Sequence, residues 1–188
     1  MKKSVIVGVA AGAVVLFVVV WAAAPVLAAQ ALIRAAKAGD EKTIEQLVDF
    51  PSLRQSLKDE LNAELAAEMR RDPRMSESGL GGLGGLGLIL APMLVSGAVD
   101  AVVTPEVVAR MVTTAEAPDP TVRDAPEPGD AADEDDIHQA WGYRDLNAFA
   151  VTLTDRDRPE QRLALILERR GLFDWKLAAV DIQNQPAA

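Results

Sequence analysis

Residues 147–182 read NAFAVTLTDRDRPEQRLALILERRGLFDWKLAAVDI, and the spacing of their apolar side chains decides the fold class. Phe149, Val151 and Leu153 alternate with Ala148, Ala150, Thr152 and Thr154, the period of two that sends successive side chains to opposite faces of a strand. A polar turn from Asp155 to Glu160 follows, and then Leu163, Leu165 and Leu167 alternate with Ala164, Ile166 and Glu168 up to the turn signal Arg170-Gly171. In the third run, Trp175 to Ile182, alternation places Trp175 and Leu177 on one face and Lys176, Ala178, Val180 and Ile182 on the other. Three strands with short turns predict an antiparallel meander with one apolar face. That face needs a cover, and the helical sequence upstream supplies one. The expected class is therefore α+β: several helices on a small antiparallel sheet of at least three strands.

Upstream the period changes to that of helices. Gln30 to Lys37 ends at Gly39-Asp40, a helix stop followed by an N-cap, because glycine tolerates the left-handed position and aspartate accepts from the free amides of the next turn. A short helix over 41–48 follows, with Ile44, Leu47 and Val48 on its apolar face. Phe50-Pro51 breaks it and starts another, whose stripe is Leu53, Leu57, Leu61, Leu65 and Met69. That stripe is read as core packing rather than a cofactor face. Thr104-Pro105-Glu106 is a further helix start, with Val107, Val108, Met111 and Val112 buried behind it. Residues 36–48 would pass for one unit of an ankyrin-type array, but no second copy follows, which excludes a solenoid.

Val5 to Ala29 is a run of twenty-five residues without a charge, preceded by Lys2-Lys3. It is long enough for a hydrocarbon core of about 30 Å. A cleaved secretory signal would carry a shorter apolar core, of roughly 7–15 residues, before a small-residue site; Val26-Leu27-Ala28 could serve as one. The apolar phase continues through Leu32 and Ile33, which favours an uncleaved anchor over residues 1–29. Positive charge flanks the run on both sides, with Arg34, Lys37 and Lys42 after it, so the charge rule does not orient it. The short N-terminal tail and the C-terminal mass place the body outside the cytoplasm. The expected location is a cytoplasmic membrane, crossed once, with the soluble domain periplasmic or otherwise extracytoplasmic.

The net charge of −9 is local: residues 115–140 carry one arginine against nine carboxylates. With Pro118, Pro120, Pro126 and Pro128 and few large apolar residues, that stretch is expected to be a disordered linker. It joins a helical half, residues 30–114, to the strand half, residues 141–188, of one domain. The lack of any large basic surface argues against nucleic acid.

No motif assigns a reaction. The chain has no cysteine and a single histidine, so disulfides, thiolate metal sites and cysteine nucleophiles are excluded. His138 beside Asp133-Glu134-Asp135-Asp136 lacks the spacing of a calcium loop. Residues 79–87, GLGGLGGLG, match the dinucleotide fingerprint twice, but no strand precedes them; they are read as a flexible apolar loop, as a surface that touches lipid headgroups near the anchor, or as an assembly segment. Leu86 to Val103 holds Pro92 and Asp100, which disfavours a second span. No serine sits in a G-x-S-x-G elbow. Arg156, Arg158, Arg162, Arg169 and Arg170 are read either as a basic edge for anionic headgroups or for the chain's own acidic linker, or as ordinary edge-strand charge.

The chain resembles a bacterial family known as domain of unknown function 2939. The resemblance rests on Ala38-Gly39-Asp40, Val48-Asp49-Phe50-Pro51-Ser52-Leu53-Arg54, Thr104-Pro105-Glu106, Leu167-Glu168-Arg169-Arg170-Gly171 and Trp175-Lys176-Leu177, and spans most of residues 30–183. It implies one N-terminal membrane helix and a small envelope domain, with no activity or catalytic residue. The order of elements also resembles cone-shaped folds of the nuclear-transport-factor type. The expected function is a non-catalytic binding or interaction domain without a cofactor. Its partners would be the lipid bilayer through residues 5–29 and an envelope protein or apolar ligand meeting Phe149, Val151, Leu153, Leu165, Trp175 and Leu177. Two alternatives stand beside it: an enzyme with Asp or Glu chemistry between helices and sheet, and an assembly factor acting through the Gly-Leu segment.

Overall fold

A computed structural model of the protein describes residues 2–71, 96–97, 99–115, 137–156 and 161–184. Its elements are α1 (Lys2–Ala38), α2 (Glu41–Leu47), α3 (Phe50–Arg71), α4 (Pro105–Thr114), β1 (Ile137–Tyr143), β2 (Ala148–Asp155), β3 (Gln161–Arg169) and β4 (Trp175–Asn184). The strands form one antiparallel sheet in the order β1-β2-β3-β4. The class is α+β, with the helices packed on one face of the sheet.

The helix boundaries follow from local chemistry. Gly39 adopts φ +63°, a conformation that costs glycine little, and lets the Asp40 amide return to the Ala35 carbonyl at 2.9 Å. Asp40 then caps α2 by accepting from the Thr43 amide at 3.1 Å. Asp49 caps α3 in the same way, accepting from the Ser52 amide at 3.3 Å. Thr104 caps α4, with Pro105 at its first position.

The core lies between the sheet and the helices. Leu32 of α1, Ile44 of α2, Leu53 and Leu57 of α3 and Val108, Met111 and Val112 of α4 meet Phe149, Val151, Leu153, Leu163, Leu165, Leu167, Trp175, Leu177 and Val180. Burying such a side chain contributes roughly 1.5–3 kcal/mol before entropy is counted. Of the predicted stripe on α3, Leu53 and Leu57 are buried and Leu61 packs against the core; the side chains of Leu65 and Met69 lie outside the described set.

Two expectations need correction. First, the segment 115–140 does not run to its predicted end. Ile137, Gln139, Trp141 and Tyr143 alternate along β1 and pair with Asp155, Leu153, Val151 and Phe149, so its last four residues belong to a fourth strand. Residues 116–136, which carry the acidic run, lie outside the described residues, as does the Gly-Leu repeat at 79–87. Second, β4 does not alternate strictly. A register shift between Ile166 and Leu167 leaves Leu167 opposite Leu177 but Leu165 opposite Val180 and Leu163 opposite Ile182. Directly opposed residues share a face, so one extra residue in β4 inverts the parity and brings Val180 and Ile182 to the core side with Trp175 and Leu177. As the unbroken apolar phase past residue 29 suggests, α1 is continuous to Ala38.

The outer edge of β4 is not left open. Val48 bridges Leu177 in parallel, the Asp49 amide donates to the Leu177 carbonyl at 2.8 Å, and Ser56 Oγ both donates to the Val180 carbonyl and accepts from its amide at 3.2 Å. The α2–α3 connection thereby protects an edge that would otherwise invite pairing with another chain.

Candidate functional site

The six residues expected to meet a ligand or partner, Phe149, Val151, Leu153, Leu165, Trp175 and Leu177, do come together. All are 3% exposed or less. The helices already cover them, so in this conformation they act as core.

The residues with the most specific geometry are two adjacent arginines at the end of β3. Arg169 is the last residue of β3 and Arg170 opens the turn after it; their side chains diverge, and each reaches a different helix.

Arg169 lies on the core side, opposite Trp175. Its guanidinium is sandwiched between two indoles, 4.2 Å from the Trp21 ring centre and 4.4 Å from that of Trp175. Its edge donates to the Leu146 carbonyl at 2.9 and 3.2 Å and to the Leu172 carbonyl at 3.0 Å. These carbonyls belong to the β1–β2 and β3–β4 turns, which lie at the same end of the sheet, so one side chain ties both turns to α1. Planarity matters here, since a guanidinium can stack on both faces while its edge donates. Around this stack Tyr143 packs edge-on against Phe149 and Trp175, Trp141 tilts against Phe149, and Phe17 meets Phe173 edge-on at 5.7 Å. All three tryptophans and the one tyrosine of the chain are in this group. The Tyr143 hydroxyl donates to the Ala22 carbonyl at 2.8 Å. That bond falls one residue beyond the Trp21 carbonyl, which lacks a helical donor because Pro25 has no N–H.

Arg170 faces the other way, into a polar junction. It contacts the Asp49 carboxylate at 2.8 Å, the Glu168 carboxylate at 2.8 Å and Ser52 Oγ at 3.0 Å. Asp49 thus caps α3 and pairs with the sheet at once. Partial burial tends to raise the Asp49 pKa, but hydrogen bonds from Ser52 and Arg170 outweigh it and hold the carboxyl below its ordinary value. Burial likewise works against the charged form of Arg170, and its bonds to Glu168 and Asp49 overcome this and raise its pKa. A separate contact, Arg54 to the Val103 carbonyl at 3.0 Å, ties α3 to the segment before α4.

The family described as Protein of unknown function (DUF2939) matches residues 14–111, just over half of the chain. The chain belongs to this family. Neither the curated proteins nor the solved structures include a significant match to it. The family segment takes in α1 from Val14, the Asp49-to-Arg54 motif and the start of α4, and ends before the strands. Within it, Asp-Phe-Pro-Ser-Leu-Arg has a structural reading: a cap, two first-turn residues, a partner for Arg170, a core leucine and an arginine on a backbone carbonyl.

The arginines named in the sequence do not form one basic edge. Arg162 begins β3, opposite Thr154, whereas Arg169 ends it, which separates them by roughly 23 Å at about 3.3 Å per strand residue; Arg158 lies outside the described residues. His138 is an exposed residue of β1. Among the described residues no group of three or more His, Cys, Asp or Glu side chains is placed to hold a metal. Sequence reading missed the double stack on Arg169, and the only signal it offered was the concentration of aromatics near residues 141–143 and 173–175.

Proposed function

We propose that the protein is a single-pass bacterial envelope protein, anchored through residues 5–29 in the inner membrane, whose periplasmic α+β domain acts by binding rather than catalysis. One observation carries this reading: α1 changes its surroundings without a break. From Val9 to Val20 its large apolar side chains are 47–69% exposed, whereas Ala24, Ala29, Leu32 and Ala35 on the same helix are buried in the domain. Among the described residues one helix, near the N-terminus, is long and apolar enough to cross a membrane or act as a signal sequence. Exposed apolar surface on this scale suits lipid and not water. Retention of the segment is supported by Trp21 and Ala22, which contact Arg169 and Tyr143 and would be lost on cleavage after Ala28. The family segment also begins inside the apolar run. Since the apolar sheet face is already covered, a partner protein is favoured over a ligand between the layers.

The test is fractionation of the full chain with a C-terminal alkaline phosphatase fusion. Carbonate-resistant membrane association, an intact N-terminus and an active reporter are expected. A soluble product beginning after Ala28, or an inactive reporter, overturns the anchor or its orientation.

A further inference from the structure

The depth at which the domain grips α1 has a geometric consequence. A hydrocarbon core of about 30 Å takes roughly 20 helical residues. Counted from Ser4, just after Lys2 and Lys3, that length reaches about residue 23, and any tilt carries the boundary further along the helix. Yet the sheet already touches α1 at Phe17, through Phe173, and at Trp21, through Arg169. At about 1.5 Å per residue, Phe17 lies roughly 9 Å inside that boundary.

We infer that the β1–β2 and β3–β4 turns form a second membrane contact, with Leu146, Leu172 and Phe173 seated in the lipid interface beside α1. This rests on the anchor reading above and adds to it. The side chains at the turn tips fit that medium: Leu146 is 70% exposed, Leu172 58% and Phe173 44%. Phe173 joins the exposed apolar surface of α1 through its edge-on contact with Phe17. Trp21, Trp141 and Tyr143 keep ring surface exposed near this level, where amphipathic rings favour the boundary between headgroups and acyl chains. The polar groups of the turns are arranged to tolerate it. Arg169 occupies the Leu146 and Leu172 carbonyls, Asp145 accepts from the Asn147 amide at 2.7 Å, and Arg144 pairs with Asp181 at 2.8 Å. Exposed Asp174 limits the depth to the interface rather than the acyl core.

The chain has no cysteine, so single cysteines can be placed in the full-length protein and labelled with an environment-sensitive fluorophore. The positions are Leu146→Cys and Leu172→Cys at the turns, Val14→Cys in the apolar half of α1, and Lys42→Cys beyond its far end. The proteins are reconstituted in two sets of phosphatidylcholine–phosphatidylglycerol vesicles, one with acyl chains brominated near the headgroup and one near the terminal methyl, so that labels at the interface and at the bilayer centre are both read. Blue-shifted emission and bromine quenching at residues 14, 146 and 172, with neither at 42, is the expected result. Quenching at 14 with turn labels that behave like the one at 42 overturns the second contact and leaves the anchor standing. No quenching at 14 overturns both.

Discussion

Arg169 and Arg170 are neighbours in sequence and perform the same mechanical task, fastening the sheet to a helix, by different physics. Arg169 holds α1 by stacking between Trp21 and Trp175 and by donating to carbonyls. Arg170 holds α3 through ion pairs to Asp49 and Glu168. Among the described residues no carboxylate lies within ion-pair distance of Arg169, so none of them titrates at the first junction. The second depends on one, and it should weaken in acid.

The strongest way to break the comparison is at Trp175, which is 1% exposed and belongs to both the core and the Arg169 stack. Trp175→Ala should destabilise the domain by about 3–5 kcal/mol, read from chemical denaturation of the detergent-solubilised chain by far-ultraviolet circular dichroism. A loss below about 1 kcal/mol would mean that the aromatic junction is peripheral. Next, Arg169→Lys keeps the charge but loses the plane that two indoles share; a cost of about 1–2 kcal/mol is expected in the same assay. If lysine is neutral there, charge alone holds α1. Asp49→Ala removes both a helix cap and a partner of Arg170, and should cost about 1–2 kcal/mol.

The pH dependence separates the two junctions more finely. The folded-state pKa of Asp49 is lowered relative to the unfolded chain, so its contribution is fully present above the unfolded value, near 3.8, and disappears as pH falls through the lower folded value. Acid unfolding curves of Asp49→Asn should therefore be flatter than those of the parent below about pH 4. Arg169→Lys should leave that slope unchanged. The smallest effect is expected at the Lys58–Asp100 pair, 2.7 Å apart with the aspartate side chain 54% exposed. Lys58→Ala should cost no more than about 1 kcal/mol, and less at high salt.

How much of this was legible in the sequence depended on whether the deciding feature was periodic. Phe149-Val151-Leu153 and Leu163-Leu165-Leu167 repeat at two, so β2, β3 and the α+β class could be read directly. The caps at Asp40 and Thr104 were legible because side-chain capping is local chemistry. β1 was hidden because Ile137 to Ala140 sat in the acidic stretch, whose composition outweighed a short alternation. The irregularity in β4 was hidden for another reason. An extra residue carries no marker of its own, and Ala178 and Ala179 fit either face. The partners of Arg169 were out of reach because they lie on α1 and in two separate turns, and no local pattern links residues 21, 146, 172 and 175. For the six core residues, sequence identified the group but could not say that helices close over it.

Consider last the unbroken run of α1 from its exposed apolar half into the core. Its proline, Pro25, is buried within the domain, and so offers no free hinge between the halves. With Phe17 and Trp21 pinned to the sheet, the helix works as a mast rather than a leash. A bending force on the apolar half passes through Arg169 into the strands, and a tilt of that half must carry the domain with it.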